Sequence, residues 1–425
     1  MTINIERTIK KLIYFIFIYM MLINVCCDEF NIPTIVRYIP DLFLPIFIIF
    51  IISKINYLLR NKSTKKLLFI IILFLLHCII GNILNAKSLF YFFWGFRNIF
   101  RFIILMLCSI IVFDDNDLKK VIKIIHKIFI LNIIVCFIQY FLLGYWGDAI
   151  GGTFRLGDTG GNAGIIYLII IENSINIVNY LNKKCSIKKV ILYLFLSVLI
   201  AVFAELKVVY IFILLIIILA LLLNKFTLKT ICIVGSAVIA ISLGYTILEK
   251  VDPETAKILN IVELMEYAGG ESHGYSSEYD ISRIRAFEQI NDYFFMNNLK
   301  YNMFGYGLGN CDVSSIDIFN SYFARQYNDV LHYTWFSHAM LYLETGIIGY
   351  LLYILIYIYI IIYCFKRRKL DKDNYNFYNS LIIILISSII MTWYNSILRN
   401  DISYFIYIII ILPFITKKDI LKKEL

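Results

Sequence analysis

Residues 207–223 read KVVYIFILLIIILALLL, one lysine followed by sixteen residues without a charge. A doubly buried strand is shorter than this, and an amphipathic helix would interleave polar residues every third or fourth position. Lipid is the solvent that suits such a run, since a spanning helix needs roughly 20 mostly apolar residues. Working outward, comparable runs lie near 12–27, 39–59, 67–84, 89–113, 121–143, 163–181, 187–205, 227–248, 336–364, 379–396 and 401–416. Composition agrees: the chain is 60% hydrophobic and 16% charged, with a mean hydropathy of +0.78, whereas soluble domains carry about 25% charge. These runs predict an all-α polytopic membrane protein of about twelve transmembrane helices. The run at 89–113 is interrupted by Arg97 and Arg101, so its first half is expected to be interfacial or re-entrant.

Charge orients the runs. With the N-terminus in the cytoplasm, the cytoplasmic segments hold 25 basic residues, and the short external loops hold only Arg37, Lys87, Arg155, Lys207 and Arg399. That is the positive-inside bias. It also explains the net charge of +10 without nucleic acid, because the basic residues sit in short loops rather than on one face. Three units follow: helices 1–9 over 1–248, a large external loop over 249–335 between helices 9 and 10, and helices 10–12 with a cytoplasmic tail over 336–425. The apolar stretch behind Arg7, Lys10 and Lys11 lacks a small-residue cleavage pattern, so it is expected to remain as an uncleaved first helix.

The large loop contains 13 acidic and 6 basic residues. Apolar residues at helical spacing predict short helices over 257–266 and 281–298, the latter from Ile281, Ile284, Phe287 and Ile290, with Ser277 or Asp280 as N-cap. Of nine cysteines only Cys311 lies in this loop, and no Cys/His spacing suggests zinc. The cytoplasmic loops are too small for a nucleotide-binding domain, and no phosphate-loop motif occurs.

Chemistry then falls to ionisable residues near membrane depth, which are costly there and face cavities or partners. His338 opens the tenth run with Tyr342 and Thr345 on its helix face. It is either a general base or a structural histidine bonding a carbonyl. Arg283 and Arg285 diverge on a helix, so one of them faces any site. Lys207 stands at a tight turn, where snorkelling to the interface is the plain reading. Arg97 and Arg101 share one helix face and need anions: a phosphate, or Glu172 or Glu205. Gly305, Gly307 and Gly309, like Gly151 and Gly152, permit tight turns or close backbone approach.

In this order the motifs resemble the O-antigen polymerase and ligase superfamily. Ala204-Glu205-Leu206-Lys207 is similar to that family's external turn motif, with lysine where the family has arginine, which keeps the charge without the fork. Arg283 with Phe287, the glycines 305, 307 and 309, and His338 leading into Glu344-x-Gly346-x-x-Gly349 follow the family pattern, as does Gly152-Thr153-Phe154. Ala339 stands where the family often has asparagine. The resemblance implies a GT-C-like glycosyltransferase without metal or cofactor. Its partners would be an undecaprenyl-pyrophosphate-linked glycan, the lipid bilayer and a chain-length regulator. It implies Arg283 and Lys207 on the pyrophosphate, with Arg285 as substitute. Arg97, Arg101, Arg155 and Tyr342 would help bind substrate, and His338 would act on the acceptor hydroxyl. A ligase acting on lipid A core, and a transporter or flippase, are the competing readings.

Overall fold

A computed structural model describes residues 2–157, 162–224, 228–251, 280–314 and 316–415. The expected helix at 257–266, the Ser277 cap and the tail beyond 415 lie outside them. The described residues form helices and connecting turns, with no strand. In chain order the helices are α1 (Thr2–Met20), α2 (Ile23–Glu29), α3 (Leu44–Ser53), α4 (Ile55–Arg60), α5 (Lys62–Leu84), α6 (Leu89–Val112), α7 (Asp115–Phe141), α8 (Asn162–Leu181), α9 (Ile187–Phe203), α10 (Lys207–Leu223) and α11 (Leu228–Val251). Then come α12 (Ala286–Ile290), α13 (Leu299–Phe304), α14 (Tyr322–Leu331), α15 (Ser337–Leu370), α16 (Tyr375–Tyr394) and α17 (Ser403–Ile410).

Among the described residues eight helices are long and apolar enough to cross a membrane, and α1 with α2, bent by 42°, makes a ninth. Two shorter apolar helices, Lys207–Leu223 and Ser403–Phe414, fall below that length. The chain is an all-α polytopic membrane protein. α6 and α8 form its centre, with 83% and 89% of their apolar windows buried, while Thr34–Ser53 and Thr230–Lys250 are peripheral at 17% and 28%. The last three helices close the bundle, α15 packing on α16 and α5, and α17 on α6.

The bundle has two dissimilar ends. At the foot, the N-terminal half of α1, the turn after α3 and the turn between α6 and α7 meet. Asp114 caps α7 in a capping box with Asp117, Lys10 bonds Asp114 at 2.9 Å, and Lys54 bonds Glu6 at 2.6 Å. At the opposite end, α12 to α14 form a cap over the first turns of α15. Its own apolar core unites Ile281, Ile290, Phe295, Leu331, Tyr333 and Phe336 with Met340 and Leu343, each fully buried large side chain contributing about 1.5–3 kcal/mol.

Three expectations are corrected. α6 runs unbroken through Arg97 and Arg101, because carboxylates meet both arginines. In the 281–298 stretch only 286–290 is α-helical, followed by a wider turn. Ile284 points outward at 54% exposure. Asp280 caps no helix; its carboxylate binds His332 Nδ1 at 2.7 Å.

The break that shapes the functional end lies in α15, where Gly346 takes φ 65° and ψ −174°. A broken helix in an apolar bundle frees carbonyls that must find donors. The Gly305–Gly309 loop supplies them: Tyr306 N–H donates to Leu343 O at 2.8 Å and Gly307 N–H to Glu344 O at 2.9 Å. His77 Nε2 lies 2.7 Å from Thr345 O. This approach leaves no room for side chains. A Cβ at Gly305 would collide with the Glu344 backbone, one at Gly346 with Met303, and one at Gly309 with the Tyr91 carbonyl.

Candidate functional site

Below the cap, α6, the 312–314 turn, the 334–340 segment and the 396–402 turn enclose a cavity of about 360 Å³. Three guanidiniums line it. Arg97 and Arg101, one turn apart on α6, project the same way. Arg399 enters from the short turn between α16 and α17, a polar interruption that positions Arg399, Asn400 and Asp401 side by side.

Each cation has named anions. Arg97 binds Asp41 through both Nε and a terminal nitrogen. Arg101, 2% exposed, contacts Asp401 Oδ1 at 2.6 Å and Asp41 at 3.6 Å. Arg399 reaches Glu344 Oε2 at 2.9 Å and Asp312 Oδ2 at 3.1 Å. The other oxygen of Glu344 accepts the Gly309 and Cys311 N–H groups at 2.9 and 3.3 Å. The fully buried Glu344 thus ties the glycine loop to Arg399. Asn98 donates to Asp312 at 2.6 Å and completes the network.

The array is paired, yet not saturated. Arg399 Nη1 and Arg101 Nε are buried without a hydrogen-bond partner among the described residues. Asp401, partly exposed, lines the cavity, and its contacts with Arg97 and Arg101 are both through Oδ1, with no hydrogen bond to Oδ2 among the described residues. Tyr38 and Trp94 lie under Arg97, each ring centroid 4.9 Å from its guanidinium, and Trp94 stacks on Phe319 of the cap at 4.0 Å. Trp335, stacked on His332 at 4.4 Å, forms the opposite wall. The site therefore offers charge-assisted donors, a free carboxylate oxygen and aromatic faces. No group of three or more His, Cys, Asp or Glu side chains among the described residues could hold a metal ion.

The residues singled out in the sequence divide into separate places. Arg97 and Arg101 line the cavity, paired with Asp41 and Asp401 rather than with Glu172 or Glu205. Glu172 instead faces His126 Nδ1 at 3.3 Å. Arg283, His338 and Tyr342 form a second cluster behind the wall. Arg283 lies over the Phe336 and Tyr394 rings at 4.9 and 5.3 Å and bonds Tyr394 O at 3.4 Å. His338 is fully buried, its Nδ1 3.0 Å from Thr392 O and its ring stacked on Trp393 at 4.2 Å. Enclosed in this way, the imidazole does not line the cavity. Phe287 packs on both His338 and Tyr342, and the Tyr342 hydroxyl donates to Asn302 at 2.6 Å.

Lys207 opens α10 at the turn where Glu205 takes φ 50°. Arg155 closes the 149–157 loop through Glu29 at 2.7 Å and stacks over Tyr145 at 4.1 Å. Arg285 is exposed and pairs with Glu288 at 3.1 Å. Sequence reasoning missed Arg399, Asp41, Asp312 and Asp401 as site residues. Glu344 carried the usable signal: a carboxylate inside an apolar run demands a cation, and Arg399 is the basic residue of the turn between the two helices that follow.

Neither the family models nor the curated proteins compared with this chain yield a match.

Proposed function

We propose that this chain is a lipid-linked oligosaccharide polymerase of GT-C-like architecture. It would span the bacterial inner membrane about twelve times, with both termini cytoplasmic and the cap on the outer face. The observation that carries the reading is the cavity in which Arg97, Arg101 and Arg399 converge beside a carboxylate oxygen and aromatic walls. The ordered motifs that resemble the O-antigen polymerase superfamily add to it.

In the proposed reaction the donor is a glycan on undecaprenyl pyrophosphate. The acceptor hydroxyl oxygen forms a bond to the anomeric carbon, the bond from that carbon to the phosphate oxygen breaks, and the lipid diphosphate leaves. Fixed guanidiniums in a water-poor site stabilise the charge that develops on the leaving group. Arg399 Nη1 and Arg101 Nε are the donors left for it. The acceptor proton goes to Asp401 Oδ2. His338 and Arg283 take a supporting role, holding the 336–342 segment against the end of α16.

Charge-conserving variants test this. Arg101→Lys and Arg399→Lys retain a cation to pair with Asp401 and Glu344 but lose the guanidinium fork. In cells whose surface polymer depends on this chain, both are expected to reduce glycans to single repeat units, with the protein still present in the membrane. Normal polymer ladders on gels from both variants would overturn the reading. Accumulation of lipid-linked polymer with bare acceptor would reassign the chain to the ligase activity.

A further inference from the structure

At the foot, between α5 and α15, a second cavity of about 440 Å³ has the opposite character. Lys62 and Lys66, one turn apart on α5, face Lys366 on α15, with Ser63, Tyr359 and Tyr363 between them. Among the described residues no carboxylate lines the cleft, and Lys62 and Lys66 form no ion pair. Their neighbours Lys10 and Lys54, at the same end, are both matched by acids. The cleft is held ready, since the Tyr359 hydroxyl donates to Ser63 O at 2.7 Å and pins the two helices. The start of α5 adds the positive end of its dipole. Directly above, Phe69 and Leu73 on α5 and Ile358 and Ile362 on α15 are exposed apolar side chains. A basic cleft at the rim and an apolar flank rising from it match one kind of ligand: an anionic head carrying acyl chains.

We infer that this cleft binds the phosphate of an anionic glycerophospholipid, seating its chains along α5 and α15. Three ammoniums suit this task because lysine is a compact, hydrated point charge that finds phosphate without a fixed geometry. A free phosphate ion would gain the same contacts without the apolar flank, and salt screens exposed lysines over about 8–10 Å. The tail therefore makes the difference.

Native mass spectrometry of the full chain in neutral detergent, titrated with phosphatidylglycerol or with phosphatidylcholine of the same chain length, reads the preference. The wild-type protein should retain phosphatidylglycerol more tightly. The triple variant Lys62→Gln, Lys66→Gln, Lys366→Gln should lose on the order of 100-fold in that preference, about a factor of five for each ammonium near the headgroup. The corresponding triple arginine variant should keep it, which separates lost charge from lost folding. Replacing Lys119, Lys120 and Lys123 with glutamine removes three foot lysines elsewhere and should leave the preference in place. An equal loss in that control would overturn the site. Inorganic phosphate at millimolar concentration should not raise the melting temperature; a rise that disappears in the triple glutamine variant would overturn the lipid assignment.

Discussion

The two ends of the bundle handle positive charge in opposite ways. At the cap end, Arg97, Arg101 and Arg399 are drawn inside and met by Asp41, Asp401, Asp312 and Glu344. At the foot, Lys62, Lys66 and Lys366 stay exposed around a cleft that no carboxylate among the described residues lines. Burial accounts for the difference. A buried cation is tolerated only when paired and hydrogen-bonded, whereas an exposed ammonium keeps its hydration and needs no partner. The cap end is therefore a network in which every member depends on another. At the foot, Lys62 and Lys66 form no ion pair among the described residues and are exposed to an external anion.

The sharpest way to break this comparison is to remove one cation from the network. Arg399→Ala leaves Glu344, fully buried, and Asp312 facing each other without a counter-charge. Breaking a buried pair costs about 3–5 kcal/mol. Thermal unfolding in detergent should show a fall in melting temperature well beyond that of Lys62→Ala, which as a surface change is expected within about 0.5 kcal/mol. Equal shifts for the two variants would remove the distinction between the ends.

The glycine loop comes next, because it carries the donors for Glu344. Gly309 sits at φ 79° with the Tyr91 carbonyl where a Cβ would go. Gly309→Ala should cost about 1–3 kcal/mol from overpacking alone, again read as a melting-temperature shift. Polymer formation should fall with it, since the loop sets the position of Glu344 and through it Arg399. A variant at Gly235, which has open space around its Cβ position, should be tolerated better.

Which parts of this were legible in the sequence follows from range. Hydropathy and spacing report on neighbours along one helix, so the apolar runs and the shared face of Arg97 and Arg101 could be read directly. Their partners could not. Asp41 lies 56 residues before Arg97 and Asp401 lies about 300 residues beyond Arg101, and nothing local in either turn signals that it folds against α6. Chain distance is no guide either, since Asp41 is nearer in the sequence to Arg97 and Arg101 than Glu172 or Glu205 is. The glycines were readable as sites of close approach, but that they replace the hydrogen bonds of a broken α15 depends on the tertiary fold. His338 was ambiguous for a related reason: a histidine at a helix start has one appearance in sequence whether it faces a cavity or, as here, stacks on Trp393 with its Nδ1 beside a carbonyl.

A milder probe concerns the foot, where paired charges do exist. Asp114 is half exposed and caps α7. Partial burial pushes its carboxyl up, but the Lys10 ammonium and the Asn116 N–H outweigh that and hold it below the ordinary 3.8. A carboxyl depressed in the folded state stabilises above the unfolded value and loses that contribution as pH falls through the folded one. Stability at this end should therefore drop on acidification below about pH 4, and Asp114→Asn, which keeps a capping side chain, should drop less steeply. Asp114→Ala at neutral pH should cost about 1 kcal/mol, the usual loss of a cap. That is less than the loss of Arg399 at the other end.

The smallest effect expected is also the one that separates burial from location. Arg285 belongs to the cap, at the same end as the arginine network, but it is half exposed and pairs with Glu288, itself exposed. Such a pair contributes between 0 and about 1 kcal/mol. If sensitivity belongs to the cap end as a place, Arg285→Ala should resemble Arg399→Ala. If it belongs to burial, Arg285→Ala should leave both the melting temperature and the polymer ladder close to those of the unaltered chain. The second outcome is expected, since Glu288, more than half exposed, stays solvated when that charge is removed. A lost ladder with an unchanged melting temperature would instead return Arg285 to the substrate role its sequence context implied, and would move the diphosphate from the cavity to the outer surface of the cap.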